Sequence, residues 1–218
     1  MTLYENGGFQ NKHISGDQGL LINSSEIINS KNWFFTNHGI YSYHSDEQAF
    51  DKVMFSPQTN FKYSFLNDAD ITTSILDPKR GELWICNASK GIYLKDLTSG
   101  VIRTFWLKPG ESQSANNIYI NKILMDSQGG IWFASPEGLW HKSSGSPDGR
   151  RVDFENTGYD NNEVFYIEQD NDGNIWCAVE DLGLIVLNFH GKVIERFDAE
   201  DHNSSGLSSG FINKIFID

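Results

Sequence analysis

Four copies of one pattern run along the chain, and they restrict the possible folds more than any other feature of the sequence. In each copy a tryptophan is followed, six or seven residues later, by a glycine that opens an apolar stretch. The copies "NWFFTNHGIYSY", "ELWICNASKGIYLK", "IWFASPEGLWHK" and "IWCAVEDLGLIVL" contain Trp33, Trp84, Trp132 and Trp176, with glycines Gly39, Gly91, Gly138 and Gly183. The tryptophans are 51, 48 and 44 residues apart, so the chain consists of structural units of about that length.

Each unit predicts a small antiparallel sheet. An apolar run that ends in aspartate, such as "YINKILMD", reads as a first strand, and a tight turn containing Gly or Asn leads into the tryptophan strand. A second turn leads to a third strand, and an amphipathic fourth strand follows. Four short strands per unit are typical of a propeller blade. We therefore predict an all-β fold, a β-propeller of four-stranded antiparallel blades with the repeated tryptophans packed between blades.

The repeat also predicts how much of a propeller is present. We place blades at residues 16–60, 61–110, 111–158 and 159–205, and the run "FINKIFID" within 210–218 predicts the inner strand of a further blade. About four and a half blades indicate a single partial propeller, a fragment of a larger ring. A compact ring with one defective blade is the alternative. A partial ring exposes blade faces and strand edges, through which the fragment would dimerise.

Charge excludes several classes of partner. The chain has 17 Lys and Arg against 29 Asp and Glu, a net charge of −12, whereas nucleic acids and anionic membranes are bound by clustered cations. No apolar run approaches the roughly 18 residues of a membrane span. The opening "MTLYENGGFQNKHIS" is not a basic-then-apolar leader. We expect no nucleic acid partner and no membrane contact by this segment.

Metal, redox and cofactor chemistry are not predicted. Cys86 lies two residues after a tryptophan and Cys177 lies one residue after, so the two face opposite sides of their strands and should not form a disulfide. The run "DNDG" at 170–173 starts like a calcium loop but lacks the later ligands, so we interpret it as a turn. The six histidines show no zinc-binding spacing. We predict no metal and no cofactor.

Two segments, "NKILMDSQGGIWFASPEGL" and "EVFYIEQDNDGNIWCAVEDLGL", resemble the two-component regulator propeller repeat. The resemblance implies the periplasmic sensor region of a bacterial hybrid two-component system, in which paired seven-bladed propellers precede a membrane span, a histidine kinase and often a response regulator. It implies that the ligand is an oligosaccharide, and that the partners are the protein's own kinase region and a second protomer. The chain itself shows no kinase signature, so we predict that it is not an enzyme.

The connections between blades are the best candidates for a ligand site. Three of them, 108–117, 156–162 and 198–209, are rich in Asn, Ser and Gly, and loops of this kind often carry function. Amide side chains suit saccharide hydroxyls, and a tyrosine can stack on a sugar ring. The predicted ligand-binding residues are Asn116, Asn117, Tyr159, Asn161 and Asn162. The turns between second and third strands, which contain His38, Lys90, Glu137, Glu180 and Asp181, should lie on the same rim, either as part of the site or as ordinary solvated turns.

Two other functions stay open. A propeller enzyme, such as a glycoside hydrolase or lyase, would need two carboxylates or a metal in one pocket, which the sequence alone does not pair. A protein-interaction scaffold would have a flat rim with no polar pocket. Two further tryptophans, Trp106 and Trp140, lie outside the repeat register, and we expect both to pack in the core.

Overall fold

The computed structural model describes residues 2–5, 8–11, 19–47, 49–55, 61–108, 118–154, 162–198 and 212–218. A two-stranded hairpin of β1 (Thr2–Glu5) and β2 (Gly8–Asn11) comes first. Sixteen further strands form four antiparallel sheets of four strands each, so the predicted all-β fold of propeller blades is confirmed. A short 3₁₀ helix, Phe61–Asp68, lies in the connection between the first two sheets, where no helix was predicted.

The four sheets are numbered here as blades 1 to 4 in chain order. Each is a meander in which consecutive strands pair, so that the first strand forms one edge and the fourth strand the other. Blade 1 holds β3 (Ile22–Ile28), β4 (Lys31–Thr36), β5 (Gly39–His44) and β6 (Ala49–Lys52), and blade 2 holds β7 (Ile71–Asp77), β8 (Glu82–Asn87), β9 (Gly91–Asp96) and β10 (Ile102–Phe105). Blade 3 holds β11 (Lys122–Met125), β12 (Ile131–Ser135), β13 (Gly138–Lys142) and β14 (Arg150–Arg151), and blade 4 holds β15 (Val164–Gln169), β16 (Ile175–Val179), β17 (Gly183–Leu187) and β18 (Val193–Phe197).

The first strands of neighbouring blades contact one another in chain order, β3 with β7, β7 with β11 and β11 with β15. Polar side chains join them: the hydroxyls of Ser24 and Ser74 are 2.8 Å apart, and Asn23 donates its amide N–H to the carbonyl of Ile71 at 2.7 Å. The first strands therefore form the inner edges of the blades, around the axis of the propeller.

Three apolar cores fill the three spaces between the four blades. The alternation of a β-strand divides its side chains between two of these cores. In β8, Leu83 and Ile85 pack into the core shared with blade 1, whereas Trp84 and Cys86 pack into the core shared with blade 3. Because both faces of each middle blade are covered, most positions of its second and third strands are buried.

Three of the four repeated tryptophans pack on the side of the next blade. Trp84 and Trp132 are buried in the cores shared with the following blade, and the half-buried Trp33 packs against the core between blades 1 and 2. Trp176 is half-buried and stacks on Phe197 with 5.8 Å between ring centroids.

The two cysteines are buried and unpaired with each other. Cys86 lies in the core between blades 2 and 3, and Cys177 lies in the core between blades 3 and 4. The two thiols do not meet because the cysteines lie on blades 2 and 4, which are separated by blade 3.

Two expectations differ from the structure. Trp140 is buried, but Trp106 remains 37% exposed, because β10 ends at Phe105 and Trp106 leaves the sheet. Residues 212–218, predicted as an inner strand, are not in a strand, because no strand in the described part of the chain pairs with them. They nevertheless lie beside blade 4, where Asn171 donates its amide N–H to the carbonyl of Asp218 at 3.3 Å.

Candidate functional site

The two ends of the blades differ in construction. One end, called here the connection rim, carries the turns between second and third strands at 37–38, 88–90, 136–137 and 180–182, together with the connections that lead from one blade to the next. The other end, called here the hairpin rim, carries the turns that follow the first and third strands. All five predicted turn residues lie on the connection rim: His38, Lys90, Glu137, Glu180 and Asp181.

In blades 1 to 3 the turns of the connection rim are held by the side chain of the residue at which the second strand ends. Thr36 and Ser135 each donate their hydroxyl to the carbonyl of the glycine that starts the third strand, at 2.8 and 2.7 Å. Asn87 accepts backbone N–H groups at the same place in blade 2. Glu137, within such a turn, is paired with Lys108 at 2.8 Å. These turns are therefore rigid supports, and the Glu137 carboxylate is already neutralised.

One repeat position stands at the mouth of the axis on the connection rim. In blades 2 to 4 it lies seven residues before the turn aspartate that follows the first strand. In blades 1, 2 and 4 it directly precedes the first strand. We call these four residues the mouth ring: Leu21, Asp70, Tyr119 and Glu163.

Backbone hydrogen bonds support the equivalence of the ring positions. In blades 1, 2 and 4 the carbonyl of the ring residue accepts the N–H of the first turn residue, in the pairs Leu21 with Asn37, Asp70 with Ala88 and Glu163 with Glu180. In blade 3 that turn residue is Pro136, which has no N–H to donate. Blade 3 is instead anchored one step further along, where Asn121 donates its N–H to the carbonyl of Ala134 at 2.8 Å.

Tyr119 is the aromatic member of the ring. It is 44% exposed, and it stands between Asp70 of blade 2 and Glu163 of blade 4 in ring order. Partial burial raises the pKa of Tyr119, and the negative charges of Asp70 and Glu163 raise it further. The phenol therefore keeps its proton at neutral pH and can donate a hydrogen bond, while its exposed ring offers an apolar face.

The Glu163 carboxylate is oriented by a neighbouring blade. Asn121 donates its side-chain amide to Oε1 of Glu163 at 3.0 Å and to the carbonyl of Val164 at 2.9 Å. These two bonds join the start of the blade 3 inner strand to the start of β15. The carboxylate is thus held beside the axis with acceptor capacity left for a ligand hydroxyl.

The predicted ligand-binding residues fall largely outside the described residues: Asn116, Asn117, Tyr159 and Asn161. Asn162 is described, and it is buried at 9% exposure with its amide N–H donated to the carbonyl of Glu180 at 2.6 Å. In this structure Asn162 thus fastens the connection to the neighbouring turn. The predicted site remains a prediction.

Sequence reasoning missed Asp70, Tyr119 and Glu163. The signal was present, because two of these residues follow the predicted connections by one or two positions, at the step from polar loop to apolar strand. An alignment of the blades on the turn aspartate brings the three to one position. Exposed polar residues at the start of an inner strand are therefore the feature to search for.

The acidic turn at 170–173 is a turn, as predicted. Oδ1 of Asp170 accepts the backbone N–H groups of Asp172 and Asn174, and Oδ2 accepts the indole N–H of Trp176 at 2.8 Å. Within the residues that the structure describes, no group of three His, Cys, Asp or Glu side chains is arranged to hold a metal ion. That same part of the chain contains no helix with the length and apolarity of a membrane span.

Comparison with known folds agrees with the blade architecture. The chain aligns with the extracellular domain of BT4673 from B. thetaiotaomicron, named as a hybrid two component system, with a TM-score of 0.72 and 16% identity over 95% of this chain and 26% of that one. PorZ, a surface component of the type-IX secretion system of Porphyromonas gingivalis, aligns with a TM-score of 0.66 and 16% identity over 94% of this chain and 32% of that one. The extracellular domain of BT3049 from B. thetaiotaomicron aligns with a TM-score of 0.53 and 18% identity, over 99% and 34%.

At such low sequence identity, the structural likeness shows the fold alone. The chain spans between about a quarter and a third of the length of each of these structures. A search of curated proteins finds no match to the sequence. The two-component regulator propeller family model matches residues 112–137 and 158–181, which carry the repeat of blades 3 and 4 from the connection ahead of the inner strand to the turn after the tryptophan strand. Two segments of the chain, one in blade 3 and one in blade 4, therefore match the two-component regulator propeller repeat.

Proposed function

We propose that this chain is part of the extracytoplasmic, periplasmic sensor region of a two-component signalling protein, and that it binds an oligosaccharide at the mouth ring without cleaving it. The observation that carries the ligand proposal is Tyr119, a half-exposed aromatic ring flanked by Asp70 and Glu163. The family repeats and the likeness to extracellular domains of hybrid two-component systems support the sensor role.

The chemistry of the mouth ring suits a neutral saccharide. A pyranose has an apolar face that stacks on an aromatic side chain, and hydroxyls that donate to carboxylates. Tyr119 supplies the aromatic face, whereas Asp70 and Glu163 supply acceptors on either side. The connections at 109–117 and 155–161, which contain four of the predicted ligand-binding residues, end next to this ring in the sequence and would add amide groups to the site.

A sensor also requires that the ligand distinguish two states of the protein. Binding shifts an equilibrium only by its difference in affinity for the two arrangements, and about 5.5 kcal/mol of difference converts a nearly inactive population into a nearly active one. We propose that the two arrangements involve a second protomer and a linked histidine kinase. A rigid rim of self-bonded turns favours a mechanism in which the blades move as a unit relative to those partners.

A glycan array followed by calorimetric titration tests the ligand proposal. Tyr119→Ala should weaken binding of the selected oligosaccharide by about tenfold or more, because the stacking surface is lost. Tyr119→Phe retains the ring and should weaken binding by only a few fold, which corresponds to one hydrogen bond. A second pair of variants, Tyr159→Ala and Asn161→Ala, tests whether the predicted connection at 156–162 contributes to sugar binding.

The matched control is Phe189→Ala. Phe189 is 49% exposed, similar to Tyr119, but it lies on the hairpin rim in the turn between β17 and β18. Its removal should leave binding unchanged within about twofold. If Tyr119→Ala and Phe189→Ala bind the selected sugar equally well, the mouth ring is not the site. Recovery of shortened sugar after incubation would replace the sensor proposal with an enzymatic one.

A further inference from the structure

A cleft between blades 2 and 3 lies apart from the mouth ring. It opens along the outer part of the two blades, between β10 and the 143–149 turn of blade 3, and it has a volume of about 550 Å³. Such a volume is within the range of small-ligand sites. Its walls hold three cations, Arg80, Arg103 and Lys142, and two carboxylates, Glu82 and Asp148. The aromatic side chains of Trp84, Phe105 and Trp106 complete them.

The floor of the cleft differs from the corresponding part of the other blades because the turn after β7 is longer. Trp132 and Trp176 each lie six residues after a turn aspartate and donate their indole N–H to it, at 2.7 and 2.8 Å. Trp84 lies seven residues after Asp77, whose Oδ2 is occupied by the Arg80 guanidinium at 2.7 Å instead. The buried indole N–H of Trp84 consequently has no acceptor among the residues that the structure describes.

A buried donor without an acceptor is rare in folded proteins, and it costs about 1–3 kcal/mol of stability. Such a group is commonly explained by a water, an ion or a ligand that supplies the missing partner. The same turn that removes the acceptor from Trp84 also places Arg80 in the wall of the cleft. Arg80 then bridges the blades by donating to the Ser144 hydroxyl at 2.8 Å.

Lys142 is the second unmatched group in the cleft. Arg80 is paired with Asp77, and Arg103 is paired with Glu82 at 2.8 Å. Lys142, by contrast, makes no ion pair with a carboxylate in the described part of the chain, and its Nζ lies 6.0 Å from the centre of the Trp84 ring. Burial lowers the pKa of Lys142, and the charges of Arg80 and Arg103 lower it further, while Glu82 opposes them. An anion placed here would relieve this repulsion.

The side chains that line the cleft carry three positive and two negative charges, whereas the whole chain has a net charge of −12. An isolated anion would not need the exposed aromatic surface beside the cations. Trp106 is 37% exposed at the edge of the cleft, although its neighbour Phe105 is packed against Phe133 with 5.8 Å between ring centroids. A cation cluster beside an exposed indole matches a ligand with one anionic group and one apolar ring face.

We propose that the cleft between blades 2 and 3 is a second saccharide site, specific for a sugar that carries a carboxylate or sulfate group. The anionic group lies against Lys142, Arg80 and Arg103, the sugar ring packs on Trp106, and the indole N–H of Trp84 donates to an oxygen of the ligand. The proposal does not depend on the mouth ring, because the two sites lie on different parts of the blades and share no residue.

Titration of the whole chain with four probes tests the proposal. The probes are a galacturonic acid trisaccharide, a sulfated galactose trisaccharide, the neutral galactose trisaccharide and inorganic sulfate, followed by tryptophan fluorescence and calorimetry. In Tyr119→Ala, which removes the aromatic face of the mouth ring, at least one of the two acidic trisaccharides should bind about tenfold or more tightly than the neutral one and than sulfate, with an affinity that falls as salt is added. The preferred acidic trisaccharide identifies the anionic group.

The variant that isolates the cleft is Lys142→Gln, and the chain offers a matched control in Lys95→Gln. Lys95 occupies the same repeat position in blade 2, since Lys95 pairs with Leu83 as Lys142 pairs with Ile131. Burial lowers the pKa of both lysines, and Lys95 also lies over an aromatic ring, that of Phe55 at 4.7 Å. Lys142→Gln should weaken the preferred acidic trisaccharide by about tenfold, whereas Lys95→Gln should change its binding by less than about twofold.

Several results would overturn the proposal. It fails if no acidic trisaccharide binds, if sulfate alone binds as tightly as the sugars, or if the neutral trisaccharide still binds as tightly as the acidic one in Tyr119→Ala, where the mouth ring has lost its aromatic face. It also fails if both lysine variants weaken binding equally, which would indicate a general effect of charge. Trp106→Ala should weaken the acidic sugar in parallel with Lys142→Gln, and Tyr119→Ala should not. Loss of neutral-sugar binding in Tyr119→Ala reports on the mouth ring alone, so the two proposals can fail separately.

Discussion

Trp132 donates its indole N–H to Oδ2 of Asp126 across 2.7 Å, and both side chains are buried. The same carboxylate accepts the backbone N–H groups of Gln128 and Gly130, so a single aspartate closes the turn and fixes the tryptophan that packs toward blade 4. The aspartate, the turn and the tryptophan of the repeat thus form one structural unit. This unit explains why the three recur together in the sequence.

We expect Asp126→Asn to lower the free energy of unfolding by about 1–3 kcal/mol, because the amide group turns a donor toward N–H groups that need acceptors. Burial alone would raise the pKa of Asp126, but His141, Trp132 and the turn N–H groups hold it below its usual value. Because the folded-state pKa is lowered, the ionised carboxylate stabilises the fold at pH values above the unfolded-state pKa. This stabilisation is lost as pH falls through the folded-state pKa. The loss in Asp126→Asn should therefore be full at pH 7 and smaller below about pH 4.

Urea unfolding at pH 7 and below about pH 4 measures the loss of stability in Asp126→Asn. Asp96→Asn is the control, since Asp96 accepts two turn N–H groups in the same manner but in an exposed turn, and its loss should be smaller. Equal losses for the two variants would show that the buried tryptophan bond adds nothing.

Trp132→Phe and Trp84→Phe should differ although both tryptophans are buried at the same repeat position. Trp132→Phe breaks a buried hydrogen bond, whereas Trp84→Phe removes a donor that has no acceptor among the described residues. The loss of packing surface is similar in the two variants. We therefore expect denaturant titrations to show a loss in the free energy of unfolding that is about 1 kcal/mol larger for Trp132→Phe than for Trp84→Phe. Equal destabilisation would contradict the assigned hydrogen bonding.

Glu26→Gln should stabilise the protein at alkaline pH. Burial raises the pKa of Glu26 from 4.5 to about 7, although the backbone N–H of Leu76 and the charge of Lys122 oppose the rise. A raised folded-state pKa means that the contribution of the protonated group is full below the unfolded-state pKa and is lost as pH rises through about 7. Glutamine cannot ionise, so we expect a gain of about 1 kcal/mol at pH 8 after allowance for solvent screening, and none at pH 4.

Thermal or urea unfolding across this range detects the gain. Ser25→Ala, a change at the exposed neighbouring position that removes no titrating group, should give a difference from the parent protein that does not vary with pH. A gain in Glu26→Gln of the same size at pH 4 and pH 8 would show that glutamine improves packing and that ionisation is not involved.

Gly39→Ala should be among the most destabilising single changes on the connection rim. Gly39 has a φ of 103°, and a Cβ atom there would overlap the backbone carbonyl oxygen of Asn67 in the connection to blade 2. We expect a loss of about 3 kcal/mol or more, because neither the strained φ nor the backbone overlap can relax. Gly100→Ala is the control: its φ is 74°, but the space for Cβ is open, and about 1 kcal/mol should be lost.

The blade architecture was predictable because each landmark of the repeat has a local physical cause. Asp126 and Trp132 bond to each other, Gly39 occupies a position that only glycine tolerates, and Leu83 and Trp84 alternate between two cores. These relations span few residues, so they leave a pattern along the chain.

The candidate sites were less predictable because their parts come from different blades. The mouth ring unites Asp70, Tyr119 and Glu163 only after three strands have been brought to one axis. The cleft depends on one extra residue in the turn at Asp77, which changes the partner of a tryptophan that otherwise obeys the repeat. Trp106 was expected to pack in the core, but β10 ends at Phe105 and leaves Trp106 at the surface.

The proposed function requires that these blades bind a saccharide and release it unchanged. Thermal unfolding of the chain across a panel of defined oligosaccharides, with the sugar analysed afterwards, tests this most directly. A ligand present at about 100 times its dissociation constant adds about 2.7 kcal/mol to the folded state. We expect a selective rise in the unfolding temperature for one class of glycan, with that glycan recovered intact. No rise for any glycan, or recovery of cleaved sugar, would contradict it.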